Sequence, residues 1–342
     1  MELSIAATAA WSAQGPGPGA VARALTAGTP PAARHDPPST PPPGVLDAHG
    51  FDLAAELGTK GTRSMDRATG LAVCATARLL AASGGDVPRD RSAVIIGTTN
   101  GSLGTILDFT ETTYTAPKPY LVNPARFPVT VMNYAAGQCA IRHGVTGPNI
   151  TLAGGRNAVA LAFIYAARLI RAGRADDVLC GATEEYTSRR AWLEWRARPP
   201  GAVHAPVAEG CVMFHLTAAR PGRAAVLAVA TATGGRLAEC LTTALRRAGV
   251  EPGEVWAAAG NGALDGCHDG ESRAHRAVLG TGPRRVEAHT AVGDTSAASV
   301  GFQVLALLEL AATDPAAAGR AAVTTSIDRH GLATAVVLRC PR

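Results

Sequence analysis

Arg156 constrains the chemistry of this chain more than any other residue. It stands in the run Ala153-Gly154-Gly155-Arg156-Asn157-Ala158, after a short apolar stretch and ahead of a segment rich in Ala and Val. A strand, two glycines, one exposed residue and a helix make the shape of a nucleophile elbow. A cysteine at that place would have its thiolate stabilised by the positive end of the helix. Arginine keeps its proton and serves as neither nucleophile nor base. A cation there costs a few tenths, about 0.3 kcal/mol or more, unless an anion or a cluster of carbonyls receives it. Two readings follow: a surface arginine on a loop, or an arginine in an abandoned catalytic position.

Other groupings have chemistry of their own to offer. His268, Glu271 and His275 lie at i, i+3 and i+7 beside Cys267. One helical face could carry all three as metal ligands, but the spacing fits a solvated polar face better, and no metal is assigned. Glu184 and Glu185 are adjacent, so they point apart and suit a loop or a helix cap rather than a paired acid and base. Gly97, Gly101 and Gly104 have the wrong spacing for a dinucleotide or phosphate loop. The seven cysteines form no CxxC pair and read as reduced thiols in a cytoplasm. Of these, Cys180, Cys211 or Cys267 beside a histidine could serve as a relocated acyl-transfer nucleophile.

Composition sets the outer bounds. The 342 residues carry 47% apolar and 17% charged side chains, enough to build a large core and too apolar for a disordered chain. A net charge of +5 suits an acidic partner, but the arginines are scattered and aromatics are 4%, so no nucleic-acid surface is expected. No charge-free apolar run is long enough for a membrane span, and the first residues lack a basic leader. A cytoplasmic protein is expected.

The elements that must position Arg156 follow from apolar runs and punctuation. Residues 15–45 are dense in Pro and Gly and predict an irregular surface segment holding no regular helix. Strands are expected at 3–8, 92–97, 149–153, 177–180, 210–216, 223–231, 255–259, 285–289, 321–326 and 333–338. Helices are expected at 65–82, capped by Ser64, and at 157–172, 236–248, 269–279 and 296–312. The strands are unbroken apolar runs, as in a sheet covered by helices on both faces. This is a layered α/β protein. VIIGTTNG (94–101) echoes VWAAAGNG (255–262), and the strand, glycine turn and helix at 149–170 echoes that at 285–310. The echo predicts a duplicated fold with halves at 1–222 and 223–342, although any α/β chain shares some of this grammar.

The segments GQCAIRHGVTGPNITLAGGRNA and VNPARFPVTVMNYAAG resemble the β-ketoacyl synthase family of the thiolase fold. The likeness is closest to its chain-length factors, which pair with a ketosynthase in type II polyketide systems. It runs from about residue 64 onward and is strongest between 92 and 185. It implies a duplicated βαβαβ, layered α/β/α/β/α architecture. Laid on the family pattern, Arg156 takes the place of the catalytic Cys, Gly260 the place of the first His and Asp294 that of the second. His289 stands at the family's Lys, Glu271 matches its Glu, and TSIDRHGLA (325–333) occupies its gating loop with only Gly331 matching. Condensation needs a thiolate to carry the acyl chain and imidazoles to stabilise the enolate. Three substitutions therefore imply a non-catalytic subunit. Aromatic-type chain-length factors often carry Gln where Arg156 stands, so a decarboxylating role for that Gln does not transfer.

The resemblance also implies partners and a job. The partners are a Cys-containing ketosynthase, in a heterodimer, and an acyl carrier protein whose phosphopantetheine arm acts on that partner; this chain binds no cofactor. The strand Asn149, Ile150, Thr151, Leu152 and Ala153 would pair with its counterpart across the dimer. The acyl tunnel would run past Thr105, Asp108, Phe109 and Thr112, and past Val129 and Met132 in the stretch 127–132. Small side chains at Thr105, Asp108 and Thr112 imply a longer or straighter channel than aromatic-type subunits give, suited to an extended polyene. The alternatives are an acyltransferase using a relocated cysteine, or a docking scaffold for the carrier protein with no tunnel.

Overall fold

A computed structural model describes residues 2–84, 87–200, 202–203, 205–218 and 222–340. Among these, ten strands of three or more residues run in chain order: β1 Leu3–Ser12, β2 Ser92–Thr98, β3 Asn149–Ala153, β4 Asp177–Glu184, β5 Gly210–Thr217, β6 Ala224–Ala232, β7 Val255–Ala259, β8 Arg284–Val286, β9 Ala321–Ile327 and β10 Ala333–Arg339. They pair in the order β8-β7-β9-β10-β6-β1-β5-β4-β2-β3. Outward from the central β1–β6 contact the order is 1-5-4-2-3 on one side and 6-10-9-7-8 on the other. Each strand is thus matched by the one five places later, and the duplication is explicit. The two half-sheets join through three residue pairs, Leu3–Ile5 against Ala224–Val226.

Helices of nine or more residues are α1 Pro18–Ala27, α2 Arg67–Ala82, α3 Leu103–Thr115, α4 Tyr134–His143, α5 Ala158–Arg171, α6 Ser188–Arg196, α7 Leu237–Ala248, α8 His268–Leu279 and α9 Ser299–Ala311. One core gathers α5 and α9 with strand residues of both halves. In α9 every residue except Glu309 is buried, as a helix sandwiched between two sheet faces must be. A second core lies under α2 and α4, and a third under α7 and α8. Helix, sheet, helix, sheet and helix form the layers. No helix among the described residues is long and apolar enough to cross a membrane.

Four differences from the sequence reading have local causes. Helix α1 lies inside the segment expected to hold none. Pro18 sits in its first turn, where proline lacks only an N–H that would be unpaired anyway, Gly28 ends it at φ 63°, and no proline falls between them. Further on, Pro38 and Ser39 are held by Trp192, Tyr186 and Ser188, whose N–H and O–H groups donate to their carbonyls. Helix α2 is capped by Asp66, which accepts from Thr69 N–H, and not by Ser64. The strand expected to reach His289 stops at Val286, and His289 opens a single helical turn instead. Helices α3, α4 and α6 went unpredicted, their apolar stripes being diluted by Thr in the first and by Arg in the last.

Candidate functional site

The elbow is built as its glycines require. β3 is the edge of the sheet and runs parallel to β2. A Cβ on Gly154 would sit 2.9 Å from Ala158 Cα, and Gly155 takes φ +49°, so a side chain is excluded at the first and strained at the second. One 3-10 turn, Gly155–Asn157, then feeds α5. The side chain of Arg156 is carried into the molecule, where 13% of it stays exposed.

There it meets Asp294. Arg156 Nη1 donates to Asp294 Oδ1 at 2.5 Å and Nη2 to Oδ2 at 2.7 Å, a two-pronged pair. Ser296 N–H adds a bond to Oδ1 at 3.2 Å, and Arg198 Nη2 stands 3.7 Å from Oδ2. The Asp294 backbone is fixed as well, donating to Pro206 and accepting from Ala208. Burial by itself would raise the carboxyl of Asp294; the Arg156 guanidinium, with Arg198 and the Ser296 N–H, outweighs it and holds the group well below the usual carboxylate range. Ser296 takes a left-handed φ of 45°, rare for a residue with a side chain, and its hydroxyl donates to Glu194. Glu194 in turn binds Arg190, whose side chain is 3% exposed.

Gly260, which the resemblance sets at the family's first histidine, is closed in. A Cβ built on Gly260 would lie 2.3–2.4 Å from the carboxylate atoms of Glu271. That carboxylate accepts from Asn261 N–H, Gly262 N–H and the Thr325 hydroxyl, and burial raises its pKa. His289, which the resemblance sets at the family's Lys, is half-buried, and desolvation lowers its pKa. The space left between Gly260, His289 and Thr295 is about 10 Å³, the least that could hold one water. On the outer side of Arg156 an open cleft of about 650 Å³ remains, lined by Thr99, Leu103, Arg156, Leu193 and residues 328–330 and 332. Asn157 ties the loop after β9 to the elbow through Leu332 O and Thr334.

Several other predicted residues are re-placed. Asp108 is exposed in the single chain and turned to Arg189 at 3.5 Å. Thr105 and Val129 are buried, Thr112 is half-buried, and Phe109 packs on Phe127 with ring centroids 6.0 Å apart. Met132 is 39% exposed. Ile150 and Leu152 lean on the chain's own core, so what β3 leaves open is its outer backbone row. Glu271 and His275 are buried around Thr325 instead of lying on a solvated face, while His268 is exposed. The adjacent glutamates do diverge: Glu184 accepts from Thr99 N–H and Glu185 from Ala68 N–H at the start of α2. Cys180 and Cys211 have no exposed surface and burial raises both thiols, which removes them as nucleophiles, while Cys267 is half-buried. Arg198, Glu194 and Ser296 were missed, since contacts across about a hundred residues leave no local pattern.

Residues 22–203, more than half of the chain, match the family described as Beta-ketoacyl synthase, N-terminal domain. The chain belongs to the β-ketoacyl synthase family. Curated relatives include the 3-oxoacyl-[acyl-carrier-protein] synthase 2 of Synechocystis sp., 33% identical over 39% of this chain and 33% of that protein. That of Vibrio cholerae is 32% identical over 41% and 34%. The matched stretch thus spans about a third of the length of these relatives. Among solved structures, "The ishigamide ketosynthase/chain length factor" superposes over the whole of both chains with a TM-score of 0.90 and 37% identity. A ketosynthase in complex with its chain length factor from Xenorhabdus doucetiae covers 99% of this chain and 98% of that one, with a TM-score of 0.80 and 17% identity, a likeness of fold. The fold is the thiolase-like ketosynthase fold.

Proposed function

We propose that this chain is a non-catalytic chain-length factor, pairing with a ketosynthase that carries the active-site cysteine and shaping the tunnel in which a polyketide grows. The observation that carries the reading is the Arg156–Asp294 pair, which joins two positions where the family's reaction needs sulfur and imidazole, while the third, Gly260, faces the Glu271 carboxylate. A guanidinium bound to a carboxylate at both prongs offers no lone pair for attack, and a space of about 10 Å³ admits no thioester. The likeness to the ishigamide ketosynthase/chain length factor over the whole chain supports the same role.

A partner surface is available. Tyr114, Tyr120, Leu121, Phe127, Val131 and Met132 are each 39–84% exposed along α3 and the segment that follows it, where isolated monomers seldom gather apolar side chains. The edge strand β3 offers its unpaired backbone row. A heterodimer through this face would enclose Thr105, Phe109, Thr112 and Val129 against the partner, with the acyl carrier protein delivering its phosphopantetheine arm to the partner's cysteine. The test is co-expression with the cognate ketosynthase. A stoichiometric complex that elongates chains, together with an isolated subunit that forms no carbon–carbon bond, is expected. Covalent acylation of the isolated subunit would overturn the reading.

A further inference from the structure

A second concave site lies at the seam between the two repeats, away from the elbow. Beyond Val226, β6 runs on to Ala232 with β10 on one side and no partner on the side where β1 lay, because β1 pairs with only three of its residues. The half-sheets splay there, and Leu227, Ala228 and Val229 are left half-exposed although their strand is central in the sheet. The C-terminal half of α5 forms the opposite wall, with Phe163 at the floor. The resulting groove has a volume of about 490 Å³, within the range that takes a small organic ligand.

Its rim is made of three arginines. Arg168 and Arg171 stand in the last turn of α5 and Arg247 in the last turn of α7. No Asp or Glu lines the groove, and among the described residues none of the three is paired with a carboxylate. Arg171 and Arg247 make single contacts, to the carbonyls of Ala167 and Val229, which leaves most of their donors free. Cations at helix C-termini are favoured in their own right. That accounts for each arginine singly; it does not account for three of them closing round one apolar floor. Guanidinium groups bind carboxylate and phosphate oxygens through paired N–H donors, and the floor below them accepts methylenes.

We propose that this groove binds a single-chain acyl anion, its head held by Arg168, Arg171 and Arg247 and its tail laid on Phe163, Leu227 and Val229. The proposal does not depend on the chain-length reading and holds whether or not the elbow is catalytic. The experiment is calorimetric titration of the full chain, in the assembly in which it purifies, with laurate below its micelle concentration. Decanol and dodecyltrimethylammonium supply a neutral and a cationic head on a similar tail. Saturable binding of one laurate per chain is expected, with both controls at least about tenfold weaker, a difference of about 1.4 kcal/mol. Arg168→Gln/Arg247→Gln, at two exposed positions where folding is undisturbed, should weaken laurate by a similar factor and reduce its salt dependence. Absence of saturable binding, equal binding of decanol, or laurate affinity unmoved in the double variant would each overturn the proposal.

Discussion

Replacing Arg156 by Met tests how far the site at the elbow depends on its ion pair. The substitution leaves the Asp294 carboxylate 2% exposed, with one backbone N–H at 3.2 Å and Arg198 at 3.7 Å as its remaining partners. Breaking a buried pair from one side costs about 3–5 kcal/mol, and the residual partners place this case near the lower end. Asp294→Leu alone strands the guanidinium, which is more exposed and can turn toward the open cleft, so about 2–3 kcal/mol is expected there. The double variant removes both charges and should recover about 2 kcal/mol of the summed loss. Urea unfolding followed by the fluorescence of the four tryptophans reads each value. The pH dependence follows from the depressed carboxyl of Asp294. Its contribution is complete above the ordinary range near 3.8 and disappears as pH falls through the lower folded value. The wild-type chain should therefore lose stability to acid more steeply than the double variant. Losses that add within about 0.5 kcal/mol would refute the coupling, and with it the idea that the two side chains hold the site closed as a unit.

Gly260→Ala should destabilise by about 2 kcal/mol or more, because its Cβ would fall 2.3 Å from a carboxylate fixed by three hydrogen bonds; chemical denaturation of the single variant is the check. Glu185, pushed up to about 8 by burial and by Asp66 beside it, is favoured neutral in the fold, so its contribution is present below about 4.5 and is lost as pH rises through about 8. Glu185→Gln should flatten that part of the stability profile and raise stability above pH 8. In the reconstituted complex, Thr105→Phe should shorten the products while Asp108→Phe should not, since only the first side chain is buried; mass spectrometry of released chains distinguishes them. Tyr120→Asp with Phe127→Asp should abolish co-purification with the ketosynthase and leave the far-ultraviolet spectrum intact, both being exposed.

Much of the scaffold was legible because it follows local rules. The runs at Asn149–Ala153 and Val255–Ala259 are strands with the boundaries expected, since an apolar run flanked by glycine or proline has few other fates in a layered protein. The elbow glycines announced their turn for the same reason. Legibility stopped where composition was averaged over too long a window, hiding α1 among prolines that lie outside it. It stopped again where apolar spacing said nothing about direction. Asp108 and Thr105 are three residues apart on α3, yet one faces Arg189 and the other the interior. The polar set on α8 failed similarly: Glu271 and His275 turn inward because Thr325, on a strand fifty residues away, supplies the hydroxyl that binds both.

On the proposed reading, the residues at 156, 260 and 294 also restrict how the family's cysteine and histidines could be installed. Cysteine at 156 would leave Asp294 buried and ionised near the new thiol. A buried anion there raises a thiol's pKa and opposes the helix N-terminus that would lower it. Histidine at 294 would strand Arg156 beside an imidazole, and two cations held close disfavour each other. Histidine at 260 would collide with Glu271, which cannot retreat without leaving the N–H groups of Asn261 and Gly262 unbonded in a buried place. Each single substitution is therefore opposed by residues still present. A variant carrying Cys at 156 and His at 294 together should fold better than either single variant, because that combination removes both members of the two-pronged pair at once. Even so, Glu271 would still fill the space at Gly260, so the two-site variant should take up a thiol-reactive probe at position 156 without supporting condensation.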